Sequence, residues 1–284
     1  MTEDAGASHR RSRILNFPGA GGTRNAAIAL TSTLVFLALI AVVVVNSAGW
    51  PEVKKAFFNG AIFRASFGEI AHAFLLNVRI FLIAEAVILV FALLIAVLRG
   101  LPGPVLFPFR ALAVVYTDLF RGIPTILVIY VLGFGAPALQ LSGVPSSPLF
   151  WGIVSLVLVY SAYVAEVYRA GIESVHPSQE AAARSLGLSR PQALRFVILP
   201  QAVRRVVPPL LNDFIGLQKD SALVALIGPI EAFRQAQIDV AGTFNYTPYL
   251  VTALLFVLLT IPLARLTDWL IARDRRRQVA GGVR

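Results

Sequence analysis

The sequence contains no cysteine and only three histidines, and both shortages narrow the chemistry that the chain can perform. Without cysteine there can be neither a disulfide framework nor a thiolate metal site. His9, His72 and His176 lie far apart in the sequence and lack the spacing of metal ligands. We therefore predict no metal site, no cofactor and no metal-dependent catalysis.

Charge is also scarce, since only 14% of the residues are charged while 57% are hydrophobic. The mean hydropathy of +0.75 is typical of a chain that crosses a membrane several times. The sequence has no phosphate-binding glycine loop ending in Gly-Lys-Ser or Gly-Lys-Thr, and no nucleophile motif. We therefore expect that the chain is not an enzyme and does not hydrolyse ATP itself.

Long apolar stretches make up most of what is present, and they predict an all-α membrane protein with about six transmembrane helices. The predicted spans are residues 26–45, 74–98, 109–139, 149–165, 206–230 and 248–271. The third span is interrupted by Arg121, Gly122 and Pro124. Such a break is tolerated only where protein or a water-filled cavity satisfies the freed backbone groups.

The remaining intervals complete the predicted organisation. Residues 1–25 are basic and rich in small residues, which predicts a disordered tail, and 272–284 form a second basic tail. The interval 47–73 predicts an extracytoplasmic loop with an interfacial amphipathic piece. Residues 26–46 could be a secretory signal peptide, but the apolar run exceeds the ~7–15 residues usual for one. We favour an extra N-terminal transmembrane helix before a transmembrane domain at 74–271.

The placement of basic residues predicts the orientation of these spans. Of 25 Lys and Arg residues, eighteen fall in the intervals 1–25, 99–110, 165–205 and 265–284, and four fall in the intervals on the other side. An excess of Lys and Arg marks the cytoplasmic side of a membrane protein. We therefore expect a multi-pass protein of the cell membrane with both termini in the cytoplasm. The same excess explains the basic character without a nucleic-acid partner.

The longest polar interval, residues 166–209, predicts two short helices in its middle. Pro177 and Ser178 form a start signal, and Gly187 is a natural stop. Ser189 and Gln192 have the spacing of a capping box for the second helix, which Pro200 is predicted to close. Two helices around a glycine turn also describe a DNA-binding helix-turn-helix, but the apolar flanks leave no room for the rest of such a domain. We interpret the interval as a helical hairpin at the membrane surface that is presented to a soluble partner.

The hairpin resembles the cytoplasmic loop of ATP-binding-cassette (ABC) importer permeases, whose pattern is Glu-Ala-Ala, three residues, Gly, nine residues and Ile-x-Leu-Pro. Val197 takes the Ile position and Gly187 takes a glycine position, while the Glu position falls on Ala181 and Glu180 lies one residue early. The resemblance continues in FRGIPTILV at 120–128, AYVAEVYRAGI at 162–172 and LQKDSALVALIG at 217–228. These stretches look like the polar amino-acid branch, whose members serve glutamate, glutamine, histidine or arginine. The resemblance covers about residues 77–271.

This resemblance implies a type I ABC importer permease-like core and a coupling loop at about 173–204. It implies an importer subunit for polar amino acids, with glutamate or glutamine as the preferred substrate. The implied partners are two cytosolic ATP-binding subunits, a second permease subunit that is a paralogue or a copy of this chain, and an extracytoplasmic substrate-binding protein. The implied ATPase-coupling residues are Glu180, Ala181, Ala182, Ala183, Arg184, Gly187, Val197, Leu199 and Pro200. The alternative is a secondary transporter without an ATPase, although such a carrier has no need of a long docking loop.

Charged residues in or directly next to the predicted spans, together with Ser221 beside Asp220, are the candidates for a substrate path, because charges in a membrane are costly and are paired or turned towards a cavity. We select Arg121, Glu166, Lys219, Asp220 and Ser221. These residues could stabilise the carboxylate and the ammonium of an amino acid in transit. They could equally form an ion-pair network that locks helices together, and the sequence leaves both interpretations open.

Overall fold

The computed structural model describes residues 22–140 and 142–281, and within those ranges the chain is helical and contains no strand. The all-α fold predicted from the sequence is confirmed. The predicted tail at 1–25 lies almost entirely outside the described residues. The helices are α1 (Gly22–Val45), α2 (Trp50–Phe57), α3 (Gly60–Arg99), α4 (Phe107–Gly122), α5 (Thr125–Ala138), α6 (Pro148–Glu173), α7 (Pro177–Ser185), α8 (Arg190–Ala193), α9 (Leu199–Asp220), α10 (Ala232–Thr243) and α11 (Thr247–Gly281). A π-helical turn (Leu194–Ile198) precedes α9, and a 3₁₀ helix (Ser221–Ile227) follows it.

Four stretches of the described chain are long and apolar enough to cross a membrane, and α4 with α5 forms a fifth if the bent pair is one span. The four stretches are Asn25–Val45, Trp50–Arg99, Pro148–Glu173 and Thr247–Arg273. The remaining predicted span, 206–230, is α9 continued by the 3₁₀ helix. It is not among the stretches that are long and apolar enough, and it carries the charges Asp213, Lys219 and Asp220.

The interval 47–73 is not the loop that the sequence predicts, because it is helical at Trp50–Phe57 and again from Gly60. Asn59 sets the second start, since its side chain accepts hydrogen bonds from the N–H groups of Ala61 and Ile62 at 3.0 and 3.2 Å. This cap lets α3 run for 40 residues. The predicted tail 272–284 is likewise a continuation of α11 as far as Gly281.

The chain divides into two compact units after Ala56. The first contains α1 and all but the last residue of α2. Helix α1 is apolar on every side, which is typical of a helix surrounded by lipid.

The second unit is built around α6, which packs against α3, α4, α5 and α9. Its core contains Ile80, Ile88, Ile129, Leu156 and Leu217, each fully buried or nearly so. Three glycines let neighbouring elements approach closely, because a Cβ atom on any of them would overlap a branched side chain: Gly133 faces Ile227, Gly152 faces Val224 and Gly171 faces Val206. Small residues at such positions are typical of helix packing in membranes.

The predicted break of the third span is present as a sharp bend. Helices α4 and α5 meet at 105° across residues 122–125, which we call the elbow. Ile123 is extended, with φ −99° and ψ 131°, and Pro124 follows it. Since the residue before a proline avoids the helical region, the sequence itself explains the end of α4.

Candidate functional site

The hairpin, residues 177–198, continues from the end of α6 and contains α7, α8 and the π turn. Gly187 terminates α7 with φ +88°, a conformation that glycine adopts without strain. The N–H of Gly187 donates to the carbonyl of Arg184 at 3.0 Å, and the N–H of Leu188 donates to that of Ala183 at 3.2 Å. These two bonds form a Schellman motif. The turn predicted at Gly187 is therefore present.

The second half of the hairpin differs from the prediction that Pro200 closes a helix. The N–H of Ser189 donates to Gln192 Oε1 at 2.8 Å, which supports the predicted cap. The chain then widens into the π turn, in which the N–H of Leu199 bonds the carbonyl of Leu194. Leu199 stays helical, and Pro200 lies in the first turn of α9. The proline is tolerated because the first turn of a helix does not need its N–H.

The predicted coupling residues lie mostly on the surface of the hairpin. Ala181, Ala182, Arg184, Gly187, Leu199 and Pro200 are exposed; Glu180 and Val197 are half-buried; Ala183 is buried. Leu186, beside the glycine turn, is 86% exposed, which is unusual for a large apolar side chain in contact with water. Glu180 Oε1 lies 3.5 Å from Arg190 Nε, so this carboxylate joins α7 to α8.

The candidate path residues separate into two groups, and the first is an ion-pair cluster near the end of α6. Glu166 Oε2 accepts from Arg99 Nη1 at 2.9 Å and lies 3.8 Å from Arg121 Nη1. Arg169, one turn along α6, donates hydrogen bonds to both carboxylate oxygens of Glu166 and also pairs with Glu173. One carboxylate therefore connects α3, α4 and α6. Arg99 was not singled out from the sequence, because nothing local shows that the end of α3 reaches α6.

The second group lies at the junction of α9 and the 3₁₀ helix, where Lys219 and Asp220 point to different neighbours. Asp220 Oδ2 accepts from the hydroxyl of Tyr160 on α6 at 2.9 Å. Lys219 is exposed and lines a cavity of about 460 Å³ between the end of α9 and α11. Its other walls are largely apolar, with Thr252 and Thr260 supplying hydroxyl groups.

Ser221 is fully buried and belongs to a polar network that the sequence did not reveal. Asn77 Nδ2 donates to Ser221 Oγ at 3.2 Å and to Glu231 Oε2 at 2.7 Å. Glu231 is fully buried and caps α10 by accepting from the N–H groups of Phe233 and Arg234 at 3.0 and 2.9 Å. Burial raises the pKa of the Glu231 carboxyl above its ordinary value, and these donors offset part of the rise.

The network has no local sequence signal, since Asn77 lies 144 residues from Ser221 and 154 residues from Glu231. It joins α3, the 3₁₀ helix and α10 and leaves Ser221 no exposed surface. Among the residues that the structure describes, no three His, Asp or Glu side chains come together as metal ligands would.

Comparison with known proteins assigns the chain to a family. The family described as "Binding-protein-dependent transport system inner membrane component" matches residues 89–276. The chain belongs to this family. The matched range begins within α3 and ends within α11, so it contains the hairpin, the Glu166 cluster and the junction at Lys219. The permease family predicted from the sequence is thereby confirmed.

Curated relatives within this family of inner membrane components are named as amino-acid permeases. The chain is 38% identical over 160 residues to "Probable glutamine ABC transporter permease protein GlnM" of Bacillus subtilis, which is 55% of this chain and 72% of that protein. It is 33% identical over 188 residues to "Putative glutamine transport system permease protein GlnP" of Rickettsia typhi, covering 66% and 84%. It is 36% identical over 155 residues to "Arginine transport system permease protein ArtQ" of Bacillus subtilis, covering 54% and 70%.

Solved structures show the same fold. A structure titled "Crystal structure of an amino acid ABC transporter with histidines" superimposes with a TM-score of 0.66 and 31% identity, covering 72% of this chain and 93% of that chain. The MetNI methionine ABC transporter in an inward-facing conformation gives a TM-score of 0.57 at 20% identity, covering 72% and 95%, which is evidence for the fold alone. The type I importer permease fold predicted from the resemblance is confirmed.

Proposed function

We propose that this chain is the membrane-spanning permease subunit of an ATP-driven importer for polar amino acids, with glutamate or glutamine as substrate. The names of the relatives support the amino-acid assignment. Two cytosolic ATP-binding subunits, a second permease subunit and an extracytoplasmic substrate-binding protein complete the transporter. The protein lies in the cell membrane, and the excess of Lys and Arg at its tails and hairpin supports a cytoplasmic location for all three.

The exposed hairpin is the observation that carries this proposal. A Schellman turn fixes its tip, and Leu186 projects from that tip with 86% of its surface exposed. A large apolar side chain held on a rigid turn outside the lipid-spanning helices fits a pocket on a soluble partner. In this role Glu180 acts through Arg190 to brace α7 against α8, and the surrounding coupling residues form the contact surface.

Helix α9 provides the connection from the hairpin to the substrate path. Its 22 residues extend about 33 Å, which is close to the thickness of the hydrocarbon core. When ATP closes the nucleotide-binding pair, the hairpins move, and α9 carries that displacement as a rigid body. The spans then change between outward-open and inward-open states, and the permease itself performs no chemistry.

Lys219 at the far end of α9 supplies the charge that the substrate carboxylate needs. It faces a cavity of about 460 Å³, whose two threonine hydroxyls already donate within the protein and are left to accept a hydrogen bond from a small polar molecule. Asp220 is engaged by Tyr160, so we assign it to holding α6 against α9. The cluster around Glu166 and the buried Ser221 are likewise assigned to holding helices together.

Gly187→Val tests the docking role. No atom lies within 4 Å of the position where a Cβ would stand, so the substitution creates no clash and acts only through the backbone. A non-glycine residue in this region is disfavoured by about 1–2 kcal/mol, and a β-branched one more strongly. We expect the variant to insert into the membrane and to lose co-purification with the ATPase or substrate-stimulated ATP hydrolysis.

Gly143→Val is a matched control, because Gly143 has φ +84° and equally open surroundings but lies outside the hairpin. We expect it to dock and transport as the unsubstituted complex does. Gly187→Asn should retain partial function, since asparagine tolerates this backbone conformation better than valine does. Normal co-purification together with normal transport by Gly187→Val would refute the docking role.

A further inference from the structure

The ion-pair cluster around Glu166 occupies a position from which it can control the elbow. Arg121 is in the last turn of α4, directly before the bend, and Arg99 is the last residue of α3. Both meet the same oxygen of Glu166, at 3.8 and 2.9 Å respectively. The carboxylate of one α6 residue thus holds the ends of two other helices.

A second α6 side chain holds the same elbow from one turn away. The hydroxyl of Tyr163 donates to the backbone carbonyl of Arg121 at 3.3 Å, and the Arg121 guanidinium lies 5.9 Å from the centre of the Tyr163 ring. Residues three apart share a helix face, so Tyr163 and Glu166 present a single surface to the elbow. The carbonyl at the end of α4, which has no helical partner, is satisfied by this contact.

The other end of the cluster reaches the start of the hairpin. Arg169 fixes both oxygens of Glu166 and pairs with Glu173, the last residue of α6. The carbonyl of the next residue, Ser174, accepts a hydrogen bond from Arg205 on α9. Polar contacts are therefore continuous from the base of the hairpin to the bend between α4 and α5.

We infer that Glu166 is a positioning residue, which holds the elbow and the end of α3 against α6 in the resting state and releases them when the hairpin moves. This inference rests on the proposed function. Its physical basis is the imbalance of charge, because one carboxylate separates three arginines and, within the described part of the chain, only Arg169 pairs with a second acid. Without the Glu166 charge, Arg99 and Arg121 lose their neutralising partner while they remain close to each other and to Arg169. The repulsion between these like charges favours the released arrangement. Partly exposed pairs such as these are weak enough individually to break during a transport cycle.

The test uses the assembled complex with its ATPase and substrate-binding protein in lipid nanodiscs and in proteoliposomes. Glu166→Gln removes the charge and keeps the shape of the side chain. We expect ATP hydrolysis without the binding protein to rise by about 2- to 30-fold, the range expected for residues that modulate coupling between sites. The amount of substrate imported per ATP should fall. Unchanged basal hydrolysis and unchanged import per ATP in a stable Glu166→Gln complex would overturn the inference.

Asp268→Asn is the matched control, since it also removes one carboxylate charge from an arginine, but its ion pair with Arg265, at 3.7 Å, lies entirely within α11. We expect it to keep the basal rate and the import per ATP. An equal rise in Asp268→Asn would overturn the inference, because the effect would then follow from the loss of any carboxylate charge.

Arg121→Gln decides the matter if Glu166→Gln fails to assemble, because it breaks only the contact at the elbow. A raised rate of ATP hydrolysis without the binding protein supports the inference. An unchanged rate together with unchanged import per ATP overturns it. If both variants assemble, the double variant should be no more active without binding protein than Glu166→Gln, since the two residues act through one contact. An unsubstituted complex without substrate-stimulated hydrolysis would instead refute the proposed function, and the inference with it.

Discussion

Gly171→Ala is expected to force α6 and α9 apart at the base of the hairpin. The added Cβ would lie 2.0 Å from Val206 Cγ2, 3.4 Å from Val206 Cβ and 3.5 Å from the carbonyl oxygen of Ala202. Carbon atoms attract best at about 3.5–4.0 Å, so the first contact is a severe overlap and the other two are tolerable. Valine in a helix strongly prefers one side-chain rotamer, so Val206 cannot simply turn away.

The expected destabilisation is about 1–3 kcal/mol, the usual range for a methyl group inserted into a packed core. Thermal unfolding of the purified complex in detergent measures this loss of stability. Each kcal/mol lowers Tm by about 2–4 °C in a chain of this order of size. Val206→Ala removes the overlapping methyl groups. The double variant should therefore be more stable than the sum of the two single changes predicts, by about 0.5–3 kcal/mol.

Gly68→Ala is the control for the effect of alanine itself, because Gly68 lies within α3 and has no atom within 4 Å of its Cβ position. Alanine is favoured over glycine inside a helix by roughly 0.5–1 kcal/mol, so this variant should not lose stability. Two results would refute the reasoning. One is a Gly171→Ala complex as stable as Gly68→Ala, and the other is strict additivity between Gly171→Ala and Val206→Ala.

Two further predictions concern orientation and the substrate path. The chain has no cysteine, so a single introduced cysteine at Ser189 should be shielded from an impermeant thiol reagent in intact cells, whereas one at Ser146 or Thr243 should react. Labelling at Ser189 from outside would contradict the orientation. Lys219→Met should leave the complex assembled in detergent while uptake and substrate-stimulated ATP hydrolysis weaken, because Lys219 is the one charged side chain among the described residues that line the cavity. Full uptake from a stable Lys219→Met complex would exclude this lysine from the path.

The hairpin shows which features the sequence can predict. The turn at Gly187 depends on neighbouring residues only, since its two closing hydrogen bonds span three and five positions. Helix-forming residues before it and a capping pair after it act over the same short range. The break at Pro124 has the same origin, because a proline restricts the residue directly before it.

Pro200 shows how a local rule fails when the surrounding helix changes type. The residue before a proline usually leaves the helical region, yet Leu199 is helical with φ −58° and ψ −44°. The helix continues from the π turn into α9, and Pro200 lies in the first α-helical turn after the wider π turn, where its missing N–H is tolerated. Single residues carry no signal for a π turn, and the sequence therefore predicted a helix end where α9 begins.

The Glu166 cluster and the network around Glu231 depend on tertiary structure and could not be predicted. Glu231 falls just outside the predicted span 206–230, with no local signal of its role, whereas the structure buries it as the cap of α10. Its partner Asn77 lies 154 residues away. Glu166 and Arg121 were selected from the sequence as charged residues in or next to the predicted spans. These two residues meet near the end of α6 because α3 and α4 pack on α6, and the sequence alone does not show this packing.

The direction in which the hairpin tip points depends on the number of residues in the π turn at Leu194–Ile198. A π turn closes its ring over one more residue than an α-helix does, so it resembles an insertion inside an otherwise regular helix. Each residue of an α-helix rotates the chain by about 100°. Loss of one residue from this turn would rotate the exposed tip about the axis of α9 by about 100°. Length changes at this point would therefore alter the docking direction of the hairpin, and they would also shift Ile198, which is buried against Val175 and Ala202.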